Sequence, residues 1–257
     1  MLLAIDIGNS NIHIGYFEKD KLICKFNIGT KSSHSVDEYA LYLSLLSKEN
    51  NIDISLVEAV IIGSVVPSVT GKIKNAVEKL TKAQIMEVGP GIKTGFSIKL
   101  DDPSQLGADI VANTAGAIAR VKYPAIILDL GTATTVSAVD KSKAYVGCYI
   151  MPGIQMSLDA LHNMELLPEV FADKAVPIVG KNSIDSMRAG VTFGVIMACE
   201  GFIDAYKSEL DLPDNTPIVV TGGYCEDLLS YFAKKVTYIP DLTLKGLNVI
   251  YNTNKKR

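Results

Sequence analysis

Tryptophan is missing from this chain of 257 residues, and histidine and cysteine are scarce, at three and four. The cysteines Cys24, Cys148, Cys199 and Cys225 form no CxxC pair, and the histidines His13, His34 and His162 stand alone. That spacing excludes the common zinc frameworks and a disulfide-stapled fold, so reduced thiols are expected. Charge is not in excess either: the net charge is -3 and the pI about 5.7, which argues against a nucleic-acid footprint. No GxxxxGK[ST] string occurs, which excludes a P-loop, and no GxGxxG fingerprint is present. A basic n-region is lacking and Asp6 arrives early, so no signal peptide is expected. No apolar run reads as long enough to span a bilayer, and no membrane or nucleic-acid partner is expected. A cytoplasmic location follows as the expectation. The basic end Asn254-Lys255-Lys256-Arg257 reads as solvated.

What is present is apolar sequence enough for a substantial core, 48% of the residues. Residues 2–7, 12–17 and 21–28 read as three strands, the last two joined as a hairpin. Val36, Tyr39, Ala40, Leu43 and Leu46 recur at helical spacing over 36–47. The run 57–63 suits a strand buried on both faces, and Pro67 opens a helix to Leu80. A helix is expected over 104–121. Then comes a strand at 125–130, a hairpin at 135–139 and 144–150, and a helix at 153–163. A long helix at 184–208, a strand at 217–221 and helices at 225–233 and 243–251 complete the reading. Strands alternating with helices place the chain in the α/β class.

The pattern restarts midway. Ile5-Asp6-Ile7-Gly8-Asn9-Ser10-Asn11 is echoed by Leu128-Asp129-Leu130-Gly131-Thr132-Ala133-Thr134. Both are a strand, an aspartate, an apolar residue, a glycine and small polar residues, followed by a hairpin. Asp6 and Asp129 lie about half a chain apart. The spacing points to two similar domains, 1–122 and 123–257, flanking a cleft.

An aspartate and a glycine at a strand end are ordinary turn residues. Two copies facing one another also suit phosphoryl transfer, which needs positioning and charge neutralisation more than covalent chemistry. Turns of Gly, Asn, Ser and Thr bring backbone N–H groups close to phosphate oxygens. A strand-end carboxylate suits magnesium, a hard cation that keeps several waters. An alcohol acceptor also needs a base for its proton. Asp109, in Gly107-Ala108-Asp109 at a helix start, is the candidate, although an acidic residue in a first turn also serves the helix dipole.

The order of motifs resembles that of type III pantothenate kinases. The resemblance rests on Asp6-Ile-Gly-Asn-Ser, Gly107-Ala-Asp109, Asp129-Leu-Gly-Thr-Ala-Thr-Thr135, Pro152-Gly153, Gly180-Lys-Asn-Ser183, Met187-Arg-Ala-Gly190 and Thr221-Gly-Gly223. It spans essentially the whole chain. It implies duplicated actin-like (ribonuclease H-like) domains flanking a nucleotide cleft. It also implies ATP-dependent phosphorylation of pantothenate, the first step toward coenzyme A, by a homodimer using Mg2+ and a monovalent cation, K+ or NH4+. By motif matching, Asp6, Ile7, Gly8, Asn9, Ser10, Asn11, Ile12 and His13 would hold ATP, with Thr132 joining them. Asp6 would hold Mg2+, through water or directly, and Asp129 the monovalent cation. Asp109 would be the base. Leu100, Gly107, Ala108, Asp109, Ile110 and Ser183 would contact pantothenate.

Three positions depart from the family pattern. The usual Gly-Ala-Asp-Arg ends here in Ile110, the often aromatic position 100 is Leu, and the usual threonine at 183 is Ser. Isoleucine cannot pair with a carboxylate, and losing one such charge-assisted contact costs on the order of 1.5–3 kcal/mol. Lys99 and Arg188 are the basic residues that could replace it. Two alternatives therefore stand beside the kinase reading: a kinase-inactive nucleotide-binding regulator, and a kinase of a different small alcohol.

Overall fold

The computed structural model describes residues 1–255; Lys256 and Arg257, the tip of the basic end, lie outside the described residues. The chain forms two compact units. Unit 1 is Met1–Phe96, Asp101–Ala119 and Leu242–Arg257; unit 2 is Ser97–Leu100 and Arg120–Asp241.

Unit 1 is built on β1 (Leu2–Ile7), β2 (Asn11–Glu18), β3 (Lys21–Gly29), β4 (Ala59–Ser64) and β5 (Gln84–Glu87), in the order β3-β2-β1-β4-β5. The first three strands are antiparallel neighbours, whereas β1, β4 and β5 run parallel. Every β1 residue is buried, as a central strand covered on both faces requires. Leu3, Ile5 and Ile7 pack with Tyr39 and Leu43 of α1 (Val36–Glu49) and Val69, Ile73 and Val77 of α2 (Pro67–Leu80). On the other face, Leu2 and Ala4 pack with Val111 and Ala115 of α3 (Ala108–Ile118).

That second face also carries the C-terminal end of the chain. In sequence the last helix follows the second half, but Leu244, Leu247 and Ile250 bury themselves against β1 and α3 of unit 1. The units therefore do not divide at 122/123: Ser97–Leu100 and the residues from Arg120 to Asp241 belong to unit 2, and residues 242–255 to unit 1. Their apolar stripe has its partner 130 residues upstream, beyond the reach of local pattern. The helix expected over 104–121 is shorter as well: a 3-10 turn at Pro103–Gln105 precedes α3. Asp102 closes that turn by accepting from the Ser104 amide at 2.9 Å and its hydroxyl at 2.6 Å.

Unit 2 repeats the plan with β7 (Ala125–Leu130), β8 (Ala133–Val139), β9 (Ala144–Pro152), β10 (Ile218–Thr221) and β11 (Thr237–Tyr238). Its sheet order is β11-β10-β7-β8-β9-β6, where β6 (Ser97–Ile98) adds a short parallel strand to β9. Read from β9 to β11, the order and directions match those of unit 1. Its core joins Ile126, Leu128 and Leu130 to α4 (Ile154–His162), α5 (Ser183–Glu209) and α6 (Cys225–Leu228). The helix expected over 225–233 breaks after Leu228 into a 3-10 turn. The last helix, α7 (Leu242–Asn254), belongs to unit 1. By length and composition α5 is apolar enough to cross a membrane, with a window of mean hydropathy 1.3. That is a match of length and composition only, one that a core helix passes as well, and 44% of the window is buried inside the structure. Met187, Val195, Ile196, Cys199 and Ile203 turn one side of it into the core of unit 2.

Candidate active site

In unit 1 a polar row crosses the sheet near the C-terminal end of β1. The register places Gly63, Asp6, His13 and Asn27 side by side on β4, β1, β2 and β3. Asp6 is buried, at 7% exposure, and the His13 and Asn27 side chains are hydrogen-bonded, Nδ1 to Oδ1, at 2.8 Å. Gly63 has no side chain to hold α3 away. A Cβ there would lie 3.7 Å from the Ala108 Cβ and 3.1 Å from Leu247. The first turn of α3 therefore rests on the strand position next to Asp6, and Asp109 follows immediately.

Asp109 is half-buried, and its Oδ1 accepts the Ile110 amide at 2.8 Å. Burial raises its carboxyl above the ordinary aspartate value of 3.8, against the opposing pull of the Ile110 and Asp109 amides. Gly107 is required for this placement, because a Cβ on it would fall 2.5 Å from Asp109 Oδ1. A carboxylate with a raised pKa, held by its own helix start, has the properties of a general base. Ala108 and Ile110 are buried, Ile110 at 8% exposure.

The turn after β1 is exposed at Asn9, Ser10 and Asn11. Gly8 donates its N–H to the Asn11 carbonyl at 3.0 Å. Ile7 and Ile12, on either side, are fully buried core residues, so only their backbone can reach a ligand. Sequence reading missed Thr30, which follows β3 and touches this turn twice: its amide donates to Ser10 O at 3.0 Å and its hydroxyl to Gly8 O at 2.7 Å. The only signal was position, one residue past the third strand of the repeat, where unit 2 has Gly153.

In unit 2, Asp129 occupies the place of Asp6, between Thr221 on β10 and Thr135 on β8. A Cβ on Gly131 would lie 3.3 Å from Asp129 Oδ1, so the carboxylate folds toward its own turn. Thr132 is exposed in that turn, and its carbonyl accepts the Gly153 amide at 3.0 Å. Gly222, at φ +111, lies against the Leu130 backbone, with room for no Cβ. The Cys225 thiol is pushed up to about 12 by burial and by the negative charges of Asp129 and Glu226. Ser183 is exposed at the first position of α5, and Leu100 is half-buried after β6.

The sequence candidates thus divide. Asp6 to His13 and Gly107 to Ile110 share one end of the unit 1 sheet. Leu100, Asp129, Thr132 and Ser183 belong to unit 2. Neither basic residue considered for Ile110 is idle: Lys99 holds Asp140 at 2.8 Å, and Arg188 holds Asp173 at 3.3 Å and the Phe171 carbonyl at 3.0 Å. Among the described residues, no group of three or more His, Cys, Asp or Glu side chains is placed to bind a metal ion.

The family model described as type III pantothenate kinase matches residues 2–205. Among solved structures, the chain is similar to a Campylobacter jejuni protein named for the Baf family of transcriptional activators, at 19% identity and TM-score 0.61 over 98% of each chain. It is similar to a Sinorhizobium meliloti protein named as a 2-dehydro-3-deoxygalactonokinase, at 12% identity and TM-score 0.59, covering 99% of this chain and 97% of that one. The ethanolamine utilization protein EutJ of Carboxydothermus hydrogenoformans matches at 13% identity and TM-score 0.55, over 96% of this chain and 88% of that one. These likenesses show a shared fold, the duplicated actin-like domain.

Proposed function

From the chain's membership of the type III pantothenate kinase family, we propose that it transfers the terminal phosphoryl group of ATP to the primary hydroxyl of pantothenate. The family makes it a phosphotransferase; the acceptor is our reading. The observation that carries it is Asp109: a carboxylate raised by burial, held in place by Gly107, one residue from the contact of α3 with the strand beside Asp6.

In this reading Asp109 accepts the proton of the attacking hydroxyl. The residues from Asp6 to His13 hold phosphate, mainly through backbone N–H groups of their turn, and Thr132 is assigned the same role in the turn of unit 2. Asp6 is a single buried carboxylate, which suits Mg2+ arriving with the triphosphate, since that ion is commonly held by one or two carboxylates plus substrate phosphates. Asp129, whose carboxylate folds over the Gly131 turn, suits a monovalent cation, K+ or NH4+. When bound, the metal supplies neutralisation of the developing charge. Gly107, Ala108 and Ile110 of unit 1, and Leu100 and Ser183 of unit 2, are the residues this reading assigns to the acceptor. With Ile110 in place of an arginine, this position offers the pantothenate carboxylate no guanidinium, and a high KM is expected.

The chain also suits a cytoplasmic homodimer built on α5. Gly190, Gly194, Met197 and Gly201 recur along one exposed face of that helix, and Met197 is 64% exposed. No atom outside the helix lies within 4 Å of a Cβ built on any of these glycines. Glycine inside a helix costs roughly 1 kcal/mol relative to alanine. Three such costs on one open face are explained by close approach of a second copy.

Steady-state kinetics with pantothenate, Mg-ATP and K+ test the function. Turnover is expected; none under those conditions overturns the assignment, and binding of ATP without pantothenate would favour the regulator instead.

A further inference from the structure

The two phosphate turns are not the same length. Ile7 pairs with Ile12, leaving Gly8 to Asn11 in the first turn, whereas Leu130 pairs with Thr134, leaving only Gly131 to Ala133 in the second. The first turn is one residue longer, so the two copies align as Asp6 with Asp129 but as Ser10 with Thr132. A longer turn has more conformations to lose when it grips a ligand.

Both turns are tied from the same place. The residue after the third strand donates its backbone N–H to the turn: Thr30 to Ser10 O and Gly153 to Thr132 O, each at 3.0 Å. In unit 2 this residue must be glycine, because a Cβ on Gly153 would fall on the Gly131 and Thr132 carbonyls. In unit 1 the longer turn leaves room for a side chain, and the side chain present makes a second bond, Thr30 Oγ1 to Gly8 O at 2.7 Å. A trans peptide directs its C=O and N–H to opposite sides. Fixing the Gly8 carbonyl toward Thr30 therefore fixes the Asn9 N–H away from it.

Thr30 is itself anchored. The next residue, Lys31, donates its N–H to the Tyr39 hydroxyl at 3.2 Å and accepts from it at 2.8 Å, and Tyr39 is fully buried on α1. Lys72 Nζ donates to the Ser32 and His34 carbonyls at 2.6 and 2.9 Å, securing the rest of the segment. A continuous set of bonds thus links a core tyrosine to the exposed turn.

We propose that Thr30 is a positioning residue for nucleotide binding, its hydroxyl holding the Gly8–Asn9 peptide so that the Asn9 amide is set to donate to a phosphate oxygen. The inference rests on the reading that this turn binds ATP. Preorganisation of this kind acts on nucleotide affinity and leaves the acceptor alone.

The test compares wild type, Thr30→Val and Thr30→Ser, by calorimetric titration with the non-hydrolysable analogue Mg-AMPPNP and by kinetics in both substrates. Thr30→Val is nearly isosteric and keeps the backbone bond to Ser10. It is expected to weaken AMPPNP binding and raise KM for ATP about 3- to 10-fold, the effect of one hydrogen bond. KM for pantothenate and the melting temperature should hold, and Thr30→Ser should restore wild-type values. Unchanged AMPPNP affinity in Thr30→Val overturns the proposal. So does an equal rise of both KM values with a lowered melting temperature, which marks a merely structural residue. Wild type that binds AMPPNP but does not phosphorylate pantothenate overturns the acceptor assignment alone, and the binding arm still decides Thr30. Wild type that binds no AMPPNP overturns both.

Discussion

The Asp109 carboxylate occupies the space that a side chain on Gly107 would need, with Oδ1 2.5 Å from the position of its Cβ. Gly107→Ala should therefore rotate or shift the carboxylate while leaving the helix start in place, since the backbone at Gly107 is compatible with any residue. Small misplacements of a catalytic group can cost up to about 100-fold in rate. A fall in kcat of roughly that order, with unchanged AMPPNP affinity, is expected from kinetics and titration. Wild-type kcat in this variant would mean that the carboxylate position is not critical.

Asp109→Asn keeps the shape and removes the base. Loss of general-base catalysis typically costs about 100- to 10,000-fold, so kcat should fall by that range with ATP binding intact. The raised carboxyl also sets two pH effects. Wild-type kcat/KM should decline on the acid side at a pH above the ordinary aspartate range, and the variant should lack that limb. Stability moves oppositely. The native state keeps a proton that the unfolded chain has already lost, so wild-type stability falls as pH rises from 3.8 through the raised native value. Asp109→Asn should melt higher than wild type at neutral pH, and the gap should close below pH 3.8. A variant that melts lower at pH 7 would show that the charge is stabilised in the fold.

Much of this arrangement was legible because it is local. The apolar run of β1 ending in Asp6-Ile-Gly, its echo at Asp129, and the Pro67 start of α2 are each written within a few residues. Their boundaries agree closely with the structure: β1 and α2 match to the residue. The missed features are those set by distant partners. The short strands β5, β6 and β11 are defined by their neighbours in the sheet more than by their own pattern. Nothing in Leu242–Asn254 says that it packs on α3. The extra residue in the first turn appears only when register is known, and with it the role open to Thr30. Ile7 and Ile12 stand in the motif stretch assigned to ATP, and because their side chains belong to the core only their backbone is open to a ligand.

The packing of α7 on α3 offers a test of how far the base depends on that C-terminal helix. Gly246 meets the Ala112 backbone so closely that a Cβ would overlap its carbonyl. Gly246→Ala must push the helices apart, and overpacking of this kind costs about 1–3 kcal/mol. At this chain length each kcal/mol lowers the melting temperature by roughly 2–4 °C. Because α3 carries Asp109, kcat should fall as well, at temperatures where the variant is still folded by circular dichroism. A stable variant with reduced kcat or an unstable one with normal kcat would separate the two effects; no change in either would refute the close packing.

The glycine face of α5 gives the last prediction, and here the sign of the effect decides. Gly190, Gly194 and Gly201 have nothing within 4 Å of their Cβ positions in the folded chain. If the face were simply solvated, Gly194→Ala would stabilise the protein by up to about 1 kcal/mol, the ordinary helix-propensity gain. If a second copy lies against it, the same methyl group enters a close interface, and the larger Gly194→Leu does so more severely. The expected result is a wild-type dimer by sedimentation velocity, weakened in Gly194→Ala and monomeric in Gly194→Leu and Met197→Glu. Circular dichroism should show folded protein in each case. Since Gly194 and Met197 lie away from Asp109 in the sequence and on another unit, any loss of activity that accompanies dissociation, and returns at high protein concentration, would tie catalysis to the dimer. A wild type that sediments as a monomer, or a Gly194→Ala variant that is more stable and unchanged in mass, rules out α5 as the contact.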